Sequence, residues 1–167
     1  FFENELFDAK QRQQFEAHFS PSAQHRVIGF KRPNLLGLPN VPKRLLDFLG
    51  PIKLIIILRN PVDRAISAYF HYMATGLLPC LPVEEGFDLL FDNGLTRWPR
   101  SNEILSFGLY GKHINHYASA FGPENIFICD IKALRQPGSL FASVFDFLGV
   151  HEAYVPSVRS NRPIAAP

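Results

Sequence analysis

The sequence of 167 residues predicts an α/β fold, a three-layer domain built around a parallel sheet. Two observations support this prediction. An unbroken apolar run at residues 54–58 is followed at once by a helix pattern, and a second strand pattern at residues 125–131 is followed by a helix pattern at 137–148. Strands that alternate with helices usually pair in parallel, because the helix carries the chain back across the sheet.

The remaining elements follow from periodicity and from residues that start or stop helices. We expect helices over residues 8–19 (with Asp8 as the cap), 42–49, 60–75, 83–91, 104–121 and 137–148. We expect strands over residues 26–30, 53–58 and 125–131. Gly108 and Gly111 weaken the start of the helix over residues 104–121.

The segment around the first apolar run is the most informative part of the chain. Five apolar residues without alternation, Leu54–Leu58, suit a strand that is buried on both faces. Asn60 is a good N-cap, Pro61 fits the first helical position, and Asp63 lies where the helix dipole favours a negative charge. The pattern therefore predicts a buried strand that delivers Arg59 to the start of a helix, a common arrangement for binding an anion.

The helix over residues 60–75 is amphipathic at about 100° per residue. Its apolar face is expected to contain Val62, Ile66, Tyr69, Phe70 and Met73. Its opposite, polar face contains Asn60, Arg64, Ser67 and His71. A phosphate along the polar face could accept hydrogen bonds from Arg59 and from the Ser67 hydroxyl, whereas the plainer interpretation is a solvated face.

The composition is typical of a globular protein and indicates neither a nucleic-acid nor a membrane partner. Hydrophobic residues make up 47% and charged residues 19% of the chain, and sixteen phenylalanines predict an aromatic core. The formal net charge is only +2, so any basic site has to be local and no nucleic-acid binding is expected. There is no signal-peptide pattern, and no apolar run approaches the roughly 20 residues of a membrane span.

The potential metal-binding residues show no metal-site spacing. Cys80 and Cys129 form no CxxC motif, and a disulfide between them stays open, as does the redox compartment. The six histidines are dispersed, and the pair His113 and His116 lacks a third ligand. We therefore expect no metal cofactor.

The segment that begins at Arg59 also resembles the sulfotransferases that use the sulfate donor 3′-phosphoadenosine 5′-phosphosulfate (PAPS). In that family an apolar strand is followed by Arg, a small or polar residue and Pro, with a Ser eight residues after the Arg and then an aromatic residue. Arg59, Pro61, Ser67 and Tyr69 match this pattern. The resemblance implies that Arg59 and Ser67 bind the 3′-phosphate of PAPS.

Two further motifs resemble carbohydrate-type members of the family. Phe1, Phe2 and Glu3 are similar to a Phe-Phe-acid triplet, so Glu3 is a candidate catalytic carboxylate, although the main base of the family is expected upstream of Phe1. In the stretch from Gly29 to Pro33, Lys31 and Pro33 match a motif whose Lys lines the acceptor site. Phe30 and Arg32 depart from that motif, so Lys31 and Arg32 are candidate acceptor-binding residues and the acceptor stays open.

The resemblance extends over most of the chain and implies the fold. Gly108-Leu109-Tyr110 and Phe147-Leu148-Gly149 match packing positions of the family in the expected order. The implied fold is a partial version of the sulfotransferase fold, which is similar to that of P-loop nucleoside triphosphatases. The phosphate loop and the closing Lys-Gly-Arg loop of the family have no counterpart in this sequence. We expect residues 1–167 to form one sulfotransferase-like domain that is truncated at the N-terminus and at the C-terminus.

The resemblance implies transfer of a sulfuryl group from PAPS to a hydroxyl or amine of an acceptor, with a carbohydrate favoured and no metal needed. Two alternatives stay open, a P-loop kinase-like phosphotransferase and a non-catalytic nucleotide-binding or interaction domain. Family members are cytoplasmic in bacteria and in the Golgi in eukaryotes, so the compartment depends on the source. The oligomeric state also stays open.

Overall fold

The computed structural model describes Phe2, Asp8 and residues 12–19 and 24–150 of the chain. In these residues the helices α1–α7 are Arg12–Ala17, Val41–Leu49, Pro61–Ala74, Val83–Phe91, Glu103–Ser106, Tyr110–Phe121 and Pro137–Leu148. The strands are β1, Leu54–Leu58, and β2, Ile126–Asp130. Short 3-10 helices cover Pro33–Gly37, Pro123–Asn125 and Ile131–Arg135. No helix among the described residues has the length and apolar character to span a bilayer.

The helix bounds agree closely with the periodicity of the sequence. α4 and α7 have the predicted bounds, α2 begins one residue earlier than predicted, and α3 is one residue shorter than predicted at each end. Gly50, Gly76 and Gly149 follow helices with positive φ angles of 77°, 72° and 75°, which a glycine adopts without strain. The described part of the first helix, Arg12–Ala17, falls within the predicted range of residues 8–19. The predicted cap at Asp8 is separated from it by residues 9–11, which the structure does not describe.

The two strands lie side by side and run parallel, which confirms the predicted α/β class. Leu54 is opposite Ile126 and Leu58 is opposite Asp130. α3, α4, α5 and α6 all lie between β1 and β2 along the chain. A parallel pair requires such a crossover connection, because the chain has to return to the same end of the sheet.

Helices pack on both faces of this sheet. Leu54 and Ile126 pack against a hydrophobic cluster that contains residues of α2 and α6. Side chains alternate along a strand, so Phe127 lies on the opposite face, where its ring is 5.6 Å from the ring of Phe147 in α7. Lys53 also donates a hydrogen bond to the carbonyl oxygen of Phe147. The described residues therefore form the three layers that the sequence predicts.

The first hydrophobic cluster joins Phe2 to α2 and α6. Its buried members are Phe2, Leu35, Val41, Leu45, Phe48, Tyr117 and Phe121. Phe2 is only 2% exposed, and its ring lies 5.4 Å from that of Phe15 and 5.5 Å from that of Phe48. The hydroxyl of Tyr117 donates to the carbonyl oxygen of Leu35 at 2.7 Å, so this polar atom is satisfied inside the core.

The second hydrophobic cluster lies between α3, α4 and the segment that leads to α5. Its buried members are Ala65, Tyr69, Tyr72, Leu78, Leu90, Leu95 and Ile104. Tyr69 is 0% exposed, and its hydroxyl donates to the carbonyl oxygen of Leu81 at 3.0 Å. Gly86 of α4 lies directly against this ring, because a Cβ atom at Gly86 would be 2.0 Å from the Tyr69 hydroxyl oxygen.

The predicted strand over residues 26–30 is wrong, because residues 24–32 form a turn, a bend and coil. Val27 and Ile28 are 46% and 45% exposed. A strand needs a neighbouring strand to satisfy its backbone groups, and within the described sheet β1 and β2 pair only with each other. The apolar composition of this segment was therefore not enough to make it a strand.

The prediction that β1 is buried on both faces is also wrong. Ile56 is 9% exposed, but Ile55 and Ile57 on the other face are 42% and 50% exposed. Helix α7 packs against Phe127 of the neighbouring strand and leaves these two side chains open to solvent. An apolar run without alternation therefore overstates how far this strand is covered.

The predicted helix over residues 104–121 is two helices. α5 ends at Ser106, and α6 begins after a short break that contains Gly108. A Cβ atom at Gly108 would lie 3.4 Å from the Cβ of Pro61, so the break passes close to the start of α3. The Nε2–H of buried His113 donates to the carbonyl oxygen of Ser106 at 2.8 Å and satisfies the end of α5.

The contact between Gly86 and Tyr69 predicts that a side chain at position 86 destabilises the core. We expect Gly86→Ala to lower the free energy of unfolding by about 1–3 kcal/mol, because the added methyl group forces the buried Tyr69 ring to move. Urea denaturation followed by circular dichroism measures this change. Gly111→Ala is the matched control, since a Cβ atom there meets nothing within 4 Å. Equal stability of the two variants would contradict the close packing of α4 on Tyr69.

Candidate functional site

The candidate site lies at the carboxyl end of β1, where Arg59 and Asn60 lead into α3. The side-chain oxygen of Asn60 accepts hydrogen bonds from the backbone N–H groups of Val62 at 2.9 Å and Asp63 at 3.2 Å. Pro61 occupies the first helical position. The predicted cap is thus confirmed, and it fixes the direction in which the chain leaves β1.

Arg59 and Ser67, the residues predicted to bind a 3′-phosphate, are both exposed. In the part of the chain that the structure describes, neither side chain has a hydrogen bond or an ion pair. At a rise of 1.5 Å per residue, Ser67 lies roughly 10 Å along the helix from Asn60. The structure therefore leaves both side chains accessible to an external anion and shows no direct contact between them.

The face of α3 that packs into the protein agrees with the prediction only in part, since Tyr69 is buried and Met73 packs against the second hydrophobic cluster as expected. Val62, Ile66 and Phe70 were expected in the core but are 62%, 37% and 49% exposed. The buried residues of α3 are Ala65, Tyr69 and Tyr72. The helix is therefore rotated by roughly a quarter turn about its axis relative to the prediction. The reason is that the tyrosines bury large rings while their hydroxyls still reach Leu81 and Glu103.

Arg64 lies on the polar face of α3 but contacts protein rather than solvent alone. Its Nη2 donates to the carbonyl oxygens of Glu103, at 3.5 Å, and of Ile104. Its Nε atom is buried without a hydrogen-bond partner among the described residues. Burial lowers the pKa of the Arg64 guanidinium, although arginine remains charged in proteins. Arg64 therefore fastens α5 to the first turns of α3, a role that sequence periodicity did not indicate.

A carboxylate network holds the same two helices together further along α3. The hydroxyl of Tyr72 donates to Glu103 Oε2 at 2.7 Å. Arg100 donates to both carboxylate oxygens of Glu103, at 2.9 and 2.8 Å, and its guanidinium carbon lies 5.6 Å from the centre of the Tyr72 ring. Burial, together with the hydrogen bond to Glu103, raises the pKa of Tyr72 to about 12.

The register of the sheet brings the end of β2 beside Arg59. Asp130, the last residue of β2, pairs with Leu58, the residue before Arg59. The Asp130 side chain accepts a hydrogen bond from the backbone N–H of Lys132 at 2.7 Å. Lys132 is exposed and lies in the first turn of the 3-10 helix Ile131–Arg135, at the same edge of the sheet as Arg59. Lys132 was not predicted from the sequence, because only the parallel register of β1 and β2 shows that Lys132 and Arg59 lie at the same edge.

The residues predicted to bind the acceptor are only partly described. Lys31 and Arg32 are exposed and lie in extended chain before the 3-10 helix Pro33–Gly37, not at the tip of a strand. The candidate catalytic residue Glu3 lies outside the described residues. Its neighbour Phe2 is buried, and Arg44 Nη1 donates to the Phe2 carbonyl oxygen at 2.9 Å. The structure thus supports a packing role for Phe2.

The cysteines and histidines show no assembled reactive centre among the described residues. Cys80 and Cys129 are both free thiols. Burial, with a smaller effect of the nearby Asp130 charge, raises the pKa of the Cys129 thiol, which makes the reactive thiolate scarcer. Within the described ranges, no three His, Cys, Asp or Glu side chains converge as metal ligands would.

Residues 36–160 match the family model described as "Sulfotransferase domain". The chain is 30% identical over 121 residues to human heparan sulfate glucosamine 3-O-sulfotransferase 6. This alignment covers 72% of this chain and 34% of that relative. The chain is also 33% identical over 129 residues to the mouse bifunctional heparan sulfate N-deacetylase/N-sulfotransferase 1. This second alignment covers 72% of this chain and 14% of that relative. The chain therefore spans only part of these relatives.

The fold is also similar to a solved structure. The crystal structure of a sulfotransferase from Alicyclobacillus acidocaldarius aligns with a TM-score of 0.73 at 25% sequence identity. The alignment covers 89% of this chain and 61% of that chain. This likeness confirms the fold that the resemblance of the Arg59 segment implied.

The burial of Tyr72, together with its hydrogen bond to Glu103, predicts a loss of stability in alkali. Folding raises the pKa of Tyr72 from 10.0 to about 12. The stability that the protonated Tyr72 hydroxyl contributes is therefore fully present below pH 10 and is lost as the pH rises through 12. Between pH 10 and 12, we expect the free energy of unfolding of the parent protein to fall by up to about 2 kcal/mol more than that of Tyr72→Phe, because phenylalanine has no hydroxyl to ionise. Urea denaturation at a series of pH values measures this difference. Parallel curves for the two proteins would contradict the raised pKa of Tyr72.

Proposed function

Because the chain belongs to the sulfotransferase domain family, we propose that it transfers a sulfuryl group from PAPS to a hydroxyl or amine of a carbohydrate acceptor. The proposal treats residues 1–167 as one domain of that family. It rests on the family match, on the names of the relatives and on the geometry at the carboxyl end of β1.

The exposed Arg59, directly before the capped start of α3, is the observation that supports donor binding best. The dipole of α3 favours an anion at this end, and Arg59 adds a full positive charge, while the N–H groups of Val62 and Asp63 are already bonded to Asn60. Ser67 offers a hydroxyl further along the same helix. We propose that Arg59 and Ser67 bind the 3′-phosphate, with Lys132 adding positive potential at the same edge.

The chemistry that follows depends mainly on positioning. Sulfuryl transfer is an in-line displacement similar in logic to phosphoryl transfer, so fixed orientation and charge neutralisation dominate its catalysis. In our proposal Arg59 and Ser67 hold one end of the donor against the rigid start of α3. A carboxylate base has to take the acceptor proton. Glu3 is our candidate for this role in the chain.

The acceptor is proposed from the relatives and from the basic residues before α2. The relatives named above are heparan sulfate sulfotransferases, which act on an acidic polysaccharide. Lys31 and Arg32 are exposed cations that precede the 3-10 helix Pro33–Gly37, and two adjacent positive charges suit contact with an anionic sugar chain. We propose that they contribute to acceptor binding.

The donor site predicts a preference for a 3′-phosphate. We expect Arg59→Ala to weaken binding of 3′,5′-adenosine bisphosphate by about 1.5–3 kcal/mol, because a charge-assisted hydrogen bond is lost. Binding of 5′-AMP, which lacks that phosphate, should change little. Isothermal titration calorimetry on the purified chain measures both affinities.

Arg97→Ala is the matched control, since Arg97 is an equally exposed arginine that lies between α4 and α5. Equal loss of affinity in the Arg97 and Arg59 variants would show a general charge effect and contradict the site. Equal binding of the two nucleotides by the parent protein would favour a kinase-like or non-catalytic domain instead.

A further inference from the structure

A cavity of about 260 Å³ with a mixed polar and apolar lining lies between the loop before α2, helix α5 and the start of α6. The loop side is Gly37, Leu38 and Pro39. Helix α5 and the residues that flank it contribute Asn102, Glu103, Ser106 and Phe107, and α6 contributes Lys112, His113 and His116. Its volume is about that of a single sugar residue with its substituents, at the small end for ligand pockets.

The charge of the cavity wall is net positive. The Glu103 carboxylate is already neutralised, since Arg100 donates to both of its oxygens and Tyr72 to one of them. Lys112 is exposed, and no ion pair to it occurs among the described residues. His116 follows Lys112 by one helical turn and is exposed on the same side of α6. The wall therefore presents unpaired donors and no free carboxylate.

The cavity is linked to the donor site and to the predicted acceptor segment. Glu103 lies on its wall, and Arg64 of α3 donates to the carbonyl oxygen of Glu103, so the cavity and the polar face of α3 share α5. Its other wall, Gly37–Pro39, follows Lys31 and Arg32 along the chain across one 3-10 helix. A chain-like acceptor that contacts Lys31 could continue into this cavity.

We infer that this cavity is a subsite for an anionic sugar residue of the acceptor, with Lys112 binding its sulfate or carboxylate group. The inference rests on the proposed function and assigns a residue that the sequence motifs do not include. The neighbouring cavity of about 290 Å³ offers a contrast, because Leu90, Leu95, Leu105 and Leu109 line it together with uncharged polar residues. Charge therefore distinguishes the two cavities as places for an acidic sugar.

The test is the binding of a heparan sulfate hexasaccharide to the purified chain by isothermal titration calorimetry. We expect Lys112→Ala to weaken binding about two- to fivefold, as for the loss of one exposed ion pair, and Lys112→Glu to weaken it further. Lys43→Ala is the matched control, since Lys43 is an exposed lysine of α2 that does not line the cavity. The chemically desulfated hexasaccharide should be less sensitive to Lys112.

Titration of 3′,5′-adenosine bisphosphate separates this subsite from the donor site. Unchanged bisphosphate affinity in Lys112→Ala, together with weaker hexasaccharide binding, supports the inference. Equal hexasaccharide affinity in the Lys112 and Lys43 variants overturns it and leaves the proposed donor site intact. Weaker bisphosphate binding with unchanged hexasaccharide binding also overturns it, because Lys112 would then bind the nucleotide. Circular dichroism of each variant confirms that these differences arise in folded protein.

Discussion

The parallel pairing of β1 with β2 is the constraint on which the described structure depends. The register from Leu54 and Ile126 to Leu58 and Asp130 gives both strands a common carboxyl edge. One face of the pair packs on the cluster shared by α2 and α6, and the other packs on α7. Because parallel strands end together, the exposed Arg59 and Lys132 come to the same edge although they are far apart in sequence.

Helix α3 converts that edge into a site, and α5 holds α3 in place. Asn60 starts the helix with two backbone hydrogen bonds, and Arg64 and Tyr72 then tie it to α5 at two levels. These contacts use the side of α3 next to its polar face and leave Ser67 free of internal partners among the described residues. The same helix is thus both anchored and open, which a binding helix requires.

Local signals predicted much of this arrangement, and tertiary contacts decided the rest. The cap at Asn60 and the bounds of α4 and α7 depend on residues close in sequence, so they could be predicted. The rotation of α3 could not, because it depends on hydroxyl partners at Leu81 and Glu103 that the helix pattern does not encode. Arg59 was found from its neighbours, whereas Lys132 needed the sheet register.

The exposed apolar side chains add a final physical argument about the donor site. Ile55 and Ile57 of β1 and Val62 and Ile66 of α3 remain open to solvent. None of these four side chains takes part in the cap at Asn60, where Val62 contributes only its backbone N–H, or in the contacts of α3 with α5. The geometry around Arg59 is therefore held by hydrogen bonds within residues 54–130, independently of that apolar surface. The 3′-phosphate site that we propose is accordingly local to this segment and separable from the carboxylate chemistry that sulfuryl transfer also requires.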